Sequence, residues 1–447
     1  MSDASTLNSS NAKPQTLKLW FMMVLQFFIW GAWLPLVFGY LAGGTAYLDS
    51  NGDVVSATSV DSTGDTPIHK ETKAELTSKP TGLGFTALQQ TWILIAFPVA
   101  AIIAMFFSNQ FADRNFAAEK FLAFSHFVGG LSILGLYFVT DFWPFCILMW
   151  VHCLFYVPTI SITNAIAFNA MKDAQKEFGI VRMGGTIGWI LAAWPLFFLF
   201  TDVDAARYTY IISGIASLVL AAYSFTLPHT PPNKSAEGLA WLKALKSLAV
   251  PFVLVLWLVT MVDAMVHDLY FLWTSGYLEH IGIPSKYVMP IMSIGQVAEI
   301  GTMIVLGFFL KRLGWKTTMT IGILGHAIRF GIFAFVPIPA VVIAANILHG
   351  VCYAFFFATV YIFVDEYLPK DVRSSTQGLF NLMILGMGPI VARIIAPYLA
   401  ESYLPKGGVQ DYQGLFTIPC IIAAVAAVVL IVAFWPPKMD KTIEVKH

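Results

Sequence analysis

The chain has 447 residues, 57% of them hydrophobic and 12% charged, with a mean hydropathy of +0.72; soluble domains run nearer to about 45–50% apolar and about 25% charged. Lys plus Arg (26) cancel Asp plus Glu (26), so there is no basic field to collect nucleic acid and no acidic tail. The composition is that of an integral membrane protein, with the lipid bilayer as its main partner and nucleic-acid binding excluded as its main role. Cys146, Cys153, Cys352 and Cys420 lie in apolar runs without C-x-x-C spacing, so no disulfide framework, metal site or cofactor is expected.

Residues 1–16 are polar, and the first apolar run, about 17–41, has no small-residue cleavage site. It is too long for a signal-peptide core and right for a spanning helix, which needs about 20 residues. Eleven more segments follow, at about 86–110, 121–140, 144–168, 183–201, 209–227, 250–274, 288–310, 317–336, 339–366, 375–400 and 413–436. With the N-terminus in the cytoplasm, 18 Lys and Arg fall on the inner side and 6 on the outer, the remaining two, Arg329 and Arg393, lying inside spans. That bias places both termini in the cytoplasm.

Two connections are long. Residues 42–84 are polar and rich in Gly, Ser, Thr and Asp, and read as an outer surface excursion or, less readily, a lid. Residues 229–249 form a cytoplasmic linker that separates an N-terminal six-helix half, 1–228, from a C-terminal one, 250–447. The halves carry a faint repeat: Arg114 and Arg312 follow the second span of each half, and Lys172-Asp173 and Lys370-Asp371 the fourth, both at an offset of 198 residues. The expected fold is therefore an all-α membrane protein of twelve transmembrane helices in two six-helix halves, which looks like the major facilitator architecture with its substrate site at the midplane. A monomer is expected.

A charge at the bilayer centre costs at least about 2.5–3.5 kcal/mol, so ionisable groups within spans need partners or a wet cavity. Three acids, Asp263 and Asp268 in span seven and Glu299 in span eight, stand against Arg182 at the mouth of span five, Arg329 in span nine and Arg393 in span eleven. Pairing across a cavity requires such a balance, and a static structural network gives the same count. Glu299 is twelfth in a span of 23 residues, one turn from Gln296; a midplane carboxylate beside an amide can bind a polar solute and exchange a proton, or be held by a permanent Arg partner. Asp263 and His267 share a helix face at i, i+4 while Asp268 points elsewhere, a set able to relay protons or to serve as structure. In VRMGGTIGW, Arg182, Thr186 and Trp189 form one stripe at i, i+4, i+7, and Gly184 and Gly185 allow a neighbouring helix close. Gln26 and Trp30 are spaced i, i+4 in span one, followed by Gly31 and Trp33. Rings near a cavity can stack on a planar ligand, although most aromatics of such a chain serve packing and the lipid belt. His126, His152, His326 and His349 are scattered over four spans and read as packing donors rather than a metal or proton site.

The segments LQFFIWGAW, YVPTISITNAIAF, VRMGGTIGW, MSIGQVAEI, GHAIRFGIFAF and FVDEYLPKDVRSSTQGLFNLM resemble the bacterial nucleoside:proton symporter family of the major facilitator superfamily. The resemblance runs through nearly all spans and lapses over 42–84, an insertion relative to the short form. It implies that Arg182, Thr186, Trp189, Gln296 and Glu299 contact a nucleoside, gripping ribose hydroxyls and base edges. Two positions depart from the family: where its span ten has an acid in a C-Y-D-F-F context this chain has Cys352-Tyr353-Ala354-Phe355-Phe356, and where its span seven offers amides this chain has His267, Asp268 and Phe271.

The expected function is secondary active import of a small polar solute, a nucleoside, coupled to protons by alternating access in the bacterial inner (cytoplasmic) membrane. Gln26, Trp30, Arg182, Thr186, Trp189, Gln296 and Glu299 are the expected substrate contacts, and Glu299, Asp263, Asp268 and His267 the expected proton-coupling groups. An acid of span seven pairing with Arg393 is expected to replace the missing span-ten carboxylate; otherwise Asp268 and Arg393 form a fixed bridge and coupling rests on Glu299. The alternative function is an uncoupled or exchange carrier for a sugar or nucleobase-like solute. An enzyme is not expected, since no H-E-x-x-H or G-x-S-x-G motif occurs and the charged residues are dispersed over five helices.

Overall fold

The computed structural model describes residues 12–48, 54–55, 77–105, 115–171, 174–199, 205–232, 245–367, 370–404 and 410–436. Arg114, Lys172, Asp173, the two chain ends and most of the 42–84 loop and the linker, all used above, lie outside the described residues. An apolar segment in lipid must satisfy its backbone internally, so it becomes a helix. In their described residues the apolar segments fall on helices or runs of helices. Among the described residues eight helices are long and apolar enough to cross a membrane.

One of the eight, Ser285–Phe335, is 51 residues long and holds spans eight and nine. They join at Gly314, whose φ of 75° and ψ of 173° break the helix, a conformation open to glycine because it lacks Cβ. Lys311, Arg312 and Lys316 flank the turn and keep it at the water interface. Span two is interrupted by Pro98, which divides it into Ala87–Leu94 and Ala96–Ile103. Spans ten and eleven each contain a π-helical stretch, Tyr353–Ala358 and Leu382–Met387; such bulges occur where packing or function overrides the regular ladder.

The 42–84 loop is not wholly irregular. It contains a three-stranded antiparallel sheet, β1 (Gly44–Leu48), β2 (Val54–Val55) and β3 (Thr77–Thr81), in the order β2-β1-β3. Leu83 and Phe85 then donate backbone hydrogen bonds to Tyr40 and Leu41 at the top of span one, so the chain re-enters the bundle beside its point of exit. We call this end of the bundle the sheet end and the opposite one the linker end.

Candidate functional site

Span five lies backbone to backbone on span one. A Cβ at Gly184 would fall 2.5 Å from the Trp20 carbonyl oxygen, and one at Gly188 2.1 Å from that of Val24. The two contact glycines are thus four residues apart, the spacing of small-residue helix crossings, whereas Gly185 faces the Phe27 ring and its own Arg182. This crossing sets the stripe. The Arg182 guanidinium sits 4.2 Å above the Phe27 ring, and Trp189 meets Trp30 edge to face at 5.1 Å.

Trp30 in turn stacks on Phe97 of span two at 4.8 Å with 15° between planes, and Trp189 contacts Phe271 of span seven at 5.6 Å. An aromatic box is formed by Trp30, Phe97, Trp189 and Phe271, three rings from the N-terminal half and one from the C-terminal half. Phe97 was not singled out from sequence, because among 37 phenylalanines it carries no local signal, and Phe271 was noted only as a departure from the family's span-seven amides. Arg182, Thr186 and Trp189 are all half-buried, as is Glu299. Arg182 acts on Glu299 electrostatically, and among the described residues no ion pair closes on this carboxylate.

Gln26 does not join the box. It is fully buried, its Nε2 donates to Thr159 at 2.9 Å, and its Oε1 lies 2.9 Å from His126 Nε2. Its backbone carbonyl accepts from Tyr156 at 2.6 Å, and His126 Nδ1 continues to Ser217 at 2.9 Å. The expectation of a substrate contact is corrected: the amide is consumed in tying span one to spans three, four and six.

In the C-terminal half the structure gathers what the sequence scattered. Arg329, fully buried, donates through Nη1 to His349 Nδ1 and through Nη2 to His326 Nδ1, both at 3.0 Å, and stacks 4.1 Å over Tyr270. A guanidinium has no lone pair with which to accept, so both Nδ1 atoms are acceptors and each neutral ring carries its proton on Nε2. His326 Nε2–H therefore points towards Asp263, 3.6 Å away; this is too long for a hydrogen bond, and among the described residues neither buried Asp263 oxygen has a partner. His349 Nε2 lies 3.3 Å from the terminal amide of Gln296. With a proton on that nitrogen the amide presents its oxygen to the ring and turns its NH2 away.

His267 completes the group, its ring centroid 4.7 Å from that of His349 and 5.4 Å from that of His326. Its Nδ1 has no hydrogen-bond partner among the described residues, and it touches Phe271 of the box at 5.4 Å. His326 and His349, read from sequence as packing donors, accept from Arg329 instead; spans seven, nine and ten converge on Arg329, and the i, i+3 spacing of His326 and Arg329 was the one local hint. Among the described residues no group of three or more His, Cys, Asp or Glu is arranged to hold a metal ion.

Asp268 points away from this cluster and binds Arg393 bidentately, at 2.8 and 2.9 Å. Ala354 is fully buried with Leu306, Phe355 and Ala358 in a small apolar cluster, so no polar group is left stranded where the family acid would stand. Span ten crosses span eight next to Glu299, since a Cβ at Gly350 would fall 2.2 Å from the Glu299 backbone nitrogen.

A helical membrane-spanning bundle with an aromatic and charged centre drawn from both halves is the arrangement of the major facilitator fold, and the family it matches is one of transporters, not enzymes. The chain belongs to the Nucleoside H+ symporter family, which it matches over residues 14–63 and 74–439; the gap falls inside the 42–84 loop. It is 29% identical over 438 residues to YegT of Escherichia coli (strain K12), covering 94% of this chain and 93% of that one. It is 26% identical to the xanthosine permease of the same organism, covering 96% and 98%. The crystal structure of the nucleoside transporter NupG superposes with a TM-score of 0.75 at 23% identity, over 95% of this chain and 100% of that one, and shows the same fold.

Proposed function

We propose that the chain imports a nucleoside together with a proton across a bacterial inner membrane, the two halves alternating access to a site between them. In this reading the sheet end faces outward, both termini are cytoplasmic and the protein acts as a monomer. The aromatic box carries the proposal. Trp30, Phe97, Trp189 and Phe271 offer faces and edges on which a planar base can stack, worth about 0.5–1.5 kcal/mol for each ring pair. Because the rings come from both halves, a bound base contacts each half, as alternating access requires.

The polar groups around the box suit the ribose and base edges. Arg182 and the NH2 of Gln296 donate, Thr186 can do either, and Glu299 accepts when ionised. Among the described residues Glu299 has no close ion-pair partner, which leaves it able to take and release a proton, and it is the proposed coupling group. His267 is the second proposed proton-handling group, since its ring touches Phe271 of the box and its Nδ1 has no hydrogen-bond partner among the described residues. Asp263 serves as counter-charge to Arg329 through His326, a role the buried network supports better than proton transfer.

The apolar packing around Ala354 favours one alternative, a carrier with fewer titratable groups that exchanges solutes without proton coupling. Reconstitution in proteoliposomes with labelled nucleosides, nucleobases and sugars tests both readings. Accumulation of a nucleoside driven by an inward proton gradient, with alkalinisation outside, is the expected result; exchange without any pH change establishes the alternative, and uptake of sugars alone overturns the nucleoside assignment.

A further inference from the structure

Arg393 does more than pair with Asp268: its Nη1 also donates at 3.1 Å to the backbone carbonyl of Leu94, in span two of the opposite half. That carbonyl is available for a reason written in the sequence. In a helix it would accept from the N–H four residues on, and that residue is Pro98, which has none. The ladder continues on either side, Ile95 donating to Thr91 and Val99 to Ile95. A buried carbonyl without a donor is costly, and Arg393, buried itself, supplies one across the interface.

The contact lies between the box and the sheet-end mouth. Leu94 is seven residues below the start of span two at the sheet end, about 10 Å at a rise of about 1.5 Å per residue. The guanidinium also stands 5.5 Å from the ring of Phe97, the residue that stacks on Trp30. One cation thus touches the roof of the box and holds the sheet-end portions of the two halves together.

We infer that Arg393 is a gate residue, forming with the Leu94 carbonyl a latch that closes the sheet end over the box, and that Pro98 creates its receptor. The inference rests on the alternating-access reading above. Its economy lies in which partner belongs to which half. Asp268 is in the same half as Arg393, so opening breaks one charge-assisted hydrogen bond to a backbone oxygen and leaves the ion pair intact. No buried charge is stranded at any stage of the cycle.

Spin labels at Leu88→Cys and Ser402→Cys, both exposed at the sheet end of spans two and eleven, report the separation of the halves in the full chain after replacement of the four native cysteines. Pro98→Ala returns an N–H to the Leu94 carbonyl while leaving every charge and ring in place. It is expected to raise the population with separated sheet ends on the order of ten-fold, the weight of one charge-assisted hydrogen bond. The double variant Asp268→Asn with Arg393→Gln removes the latch from the other side without leaving a lone charge, and is expected to shift the distribution the same way. It carries the test alone should Pro98→Ala fail to fold. Unchanged distances in the folded variants overturn the latch. The measurement needs no solute, so a wrong substrate assignment does not affect it, whereas a single fixed distance under every condition, substrate gradients included, overturns alternating access itself.

Discussion

Glu299 and Arg182 occupy the centre of the site without closing on each other, and this spacing has a functional consequence. A carboxylate locked to an arginine would have nothing to titrate, whereas one that a cation influences from a distance can change protonation as water or solute arrives. Glu299→Gln is therefore expected to abolish proton-driven accumulation while retaining counterflow exchange, measured as labelled nucleoside uptake with and without a pH gradient; full concentrative uptake by the variant removes Glu299 from the coupling step. The Arg329–His349–Gln296 chain makes a second residue-scale prediction. His349→Phe keeps the ring volume but removes both the acceptor for Arg329 and the donor to Gln296, so the amide loses its fixed orientation. The KM for substrate is expected to rise about five- to ten-fold, the weight of about one hydrogen bond. His349→Gln, which can still accept from Arg329 and donate to Gln296, is expected to recover much of it. Equal effects of both replacements would show that only packing at position 349 matters.

At the scale of elements, the crossing of spans one and five determines where the stripe points. Gly188→Ala places a methyl group against the Val24 carbonyl and must push the helices apart, at about 1–3 kcal/mol for overpacking, and it shifts Trp189 relative to Trp30. A lower melting temperature and weaker substrate binding are expected together. Gly39→Ala in span one, where an added Cβ meets nothing within 4 Å, is the control that should change neither. Trp189→Ala tests the stripe itself: loss of about 1 kcal/mol of stacking corresponds to a several-fold weaker affinity, read by direct binding, alongside a fall in stability because the ring also packs on Gly31 of span one. Binding indifferent to the loss of this ring would make the box a packing feature.

For the whole molecule the decisive interactions are those between the halves. The single replacement Asp268→Asn leaves Arg393 buried without a counter-charge, and a loss of about 3–5 kcal/mol is expected for such a broken pair. The double variant with Arg393→Gln should be the more stable of the two despite carrying more substitutions. Thermal unfolding in detergent compares them; equal destabilisation would mean that the guanidinium is satisfied by Leu94 and solvent alone. Orientation is also a property of the whole chain, set by the excess of Lys and Arg at the linker end. A fluorescent protein fused after His447 is expected to fold and fluoresce, as it does in the cytoplasm, and a dark fusion on an expressed chain would place that end outside.

What the sequence determined by itself was whatever depends on composition and short-range spacing. The positions of the apolar segments, the stripe Arg182, Thr186, Trp189 and the Gln296–Glu299 pair were legible because lipid demands helices and a helix places i, i+3 and i+4 on one face. The divergence of Asp268 from Asp263 and His267 was legible for the same reason. Tertiary structure alone decided which faces meet. It brought His267, His326 and His349 from three spans around Arg329, withdrew Gln26 into a bond with Thr159 and His126, and left Ala354 in an apolar nest. It also joined Leu94 to Arg393, 299 residues apart in sequence. A side chain's partners across a helix interface depend on crossing angle and depth, which small residues such as Gly188 and Gly350 permit but do not announce, whereas the missing N–H of Pro98 is visible in the sequence and its partner is not.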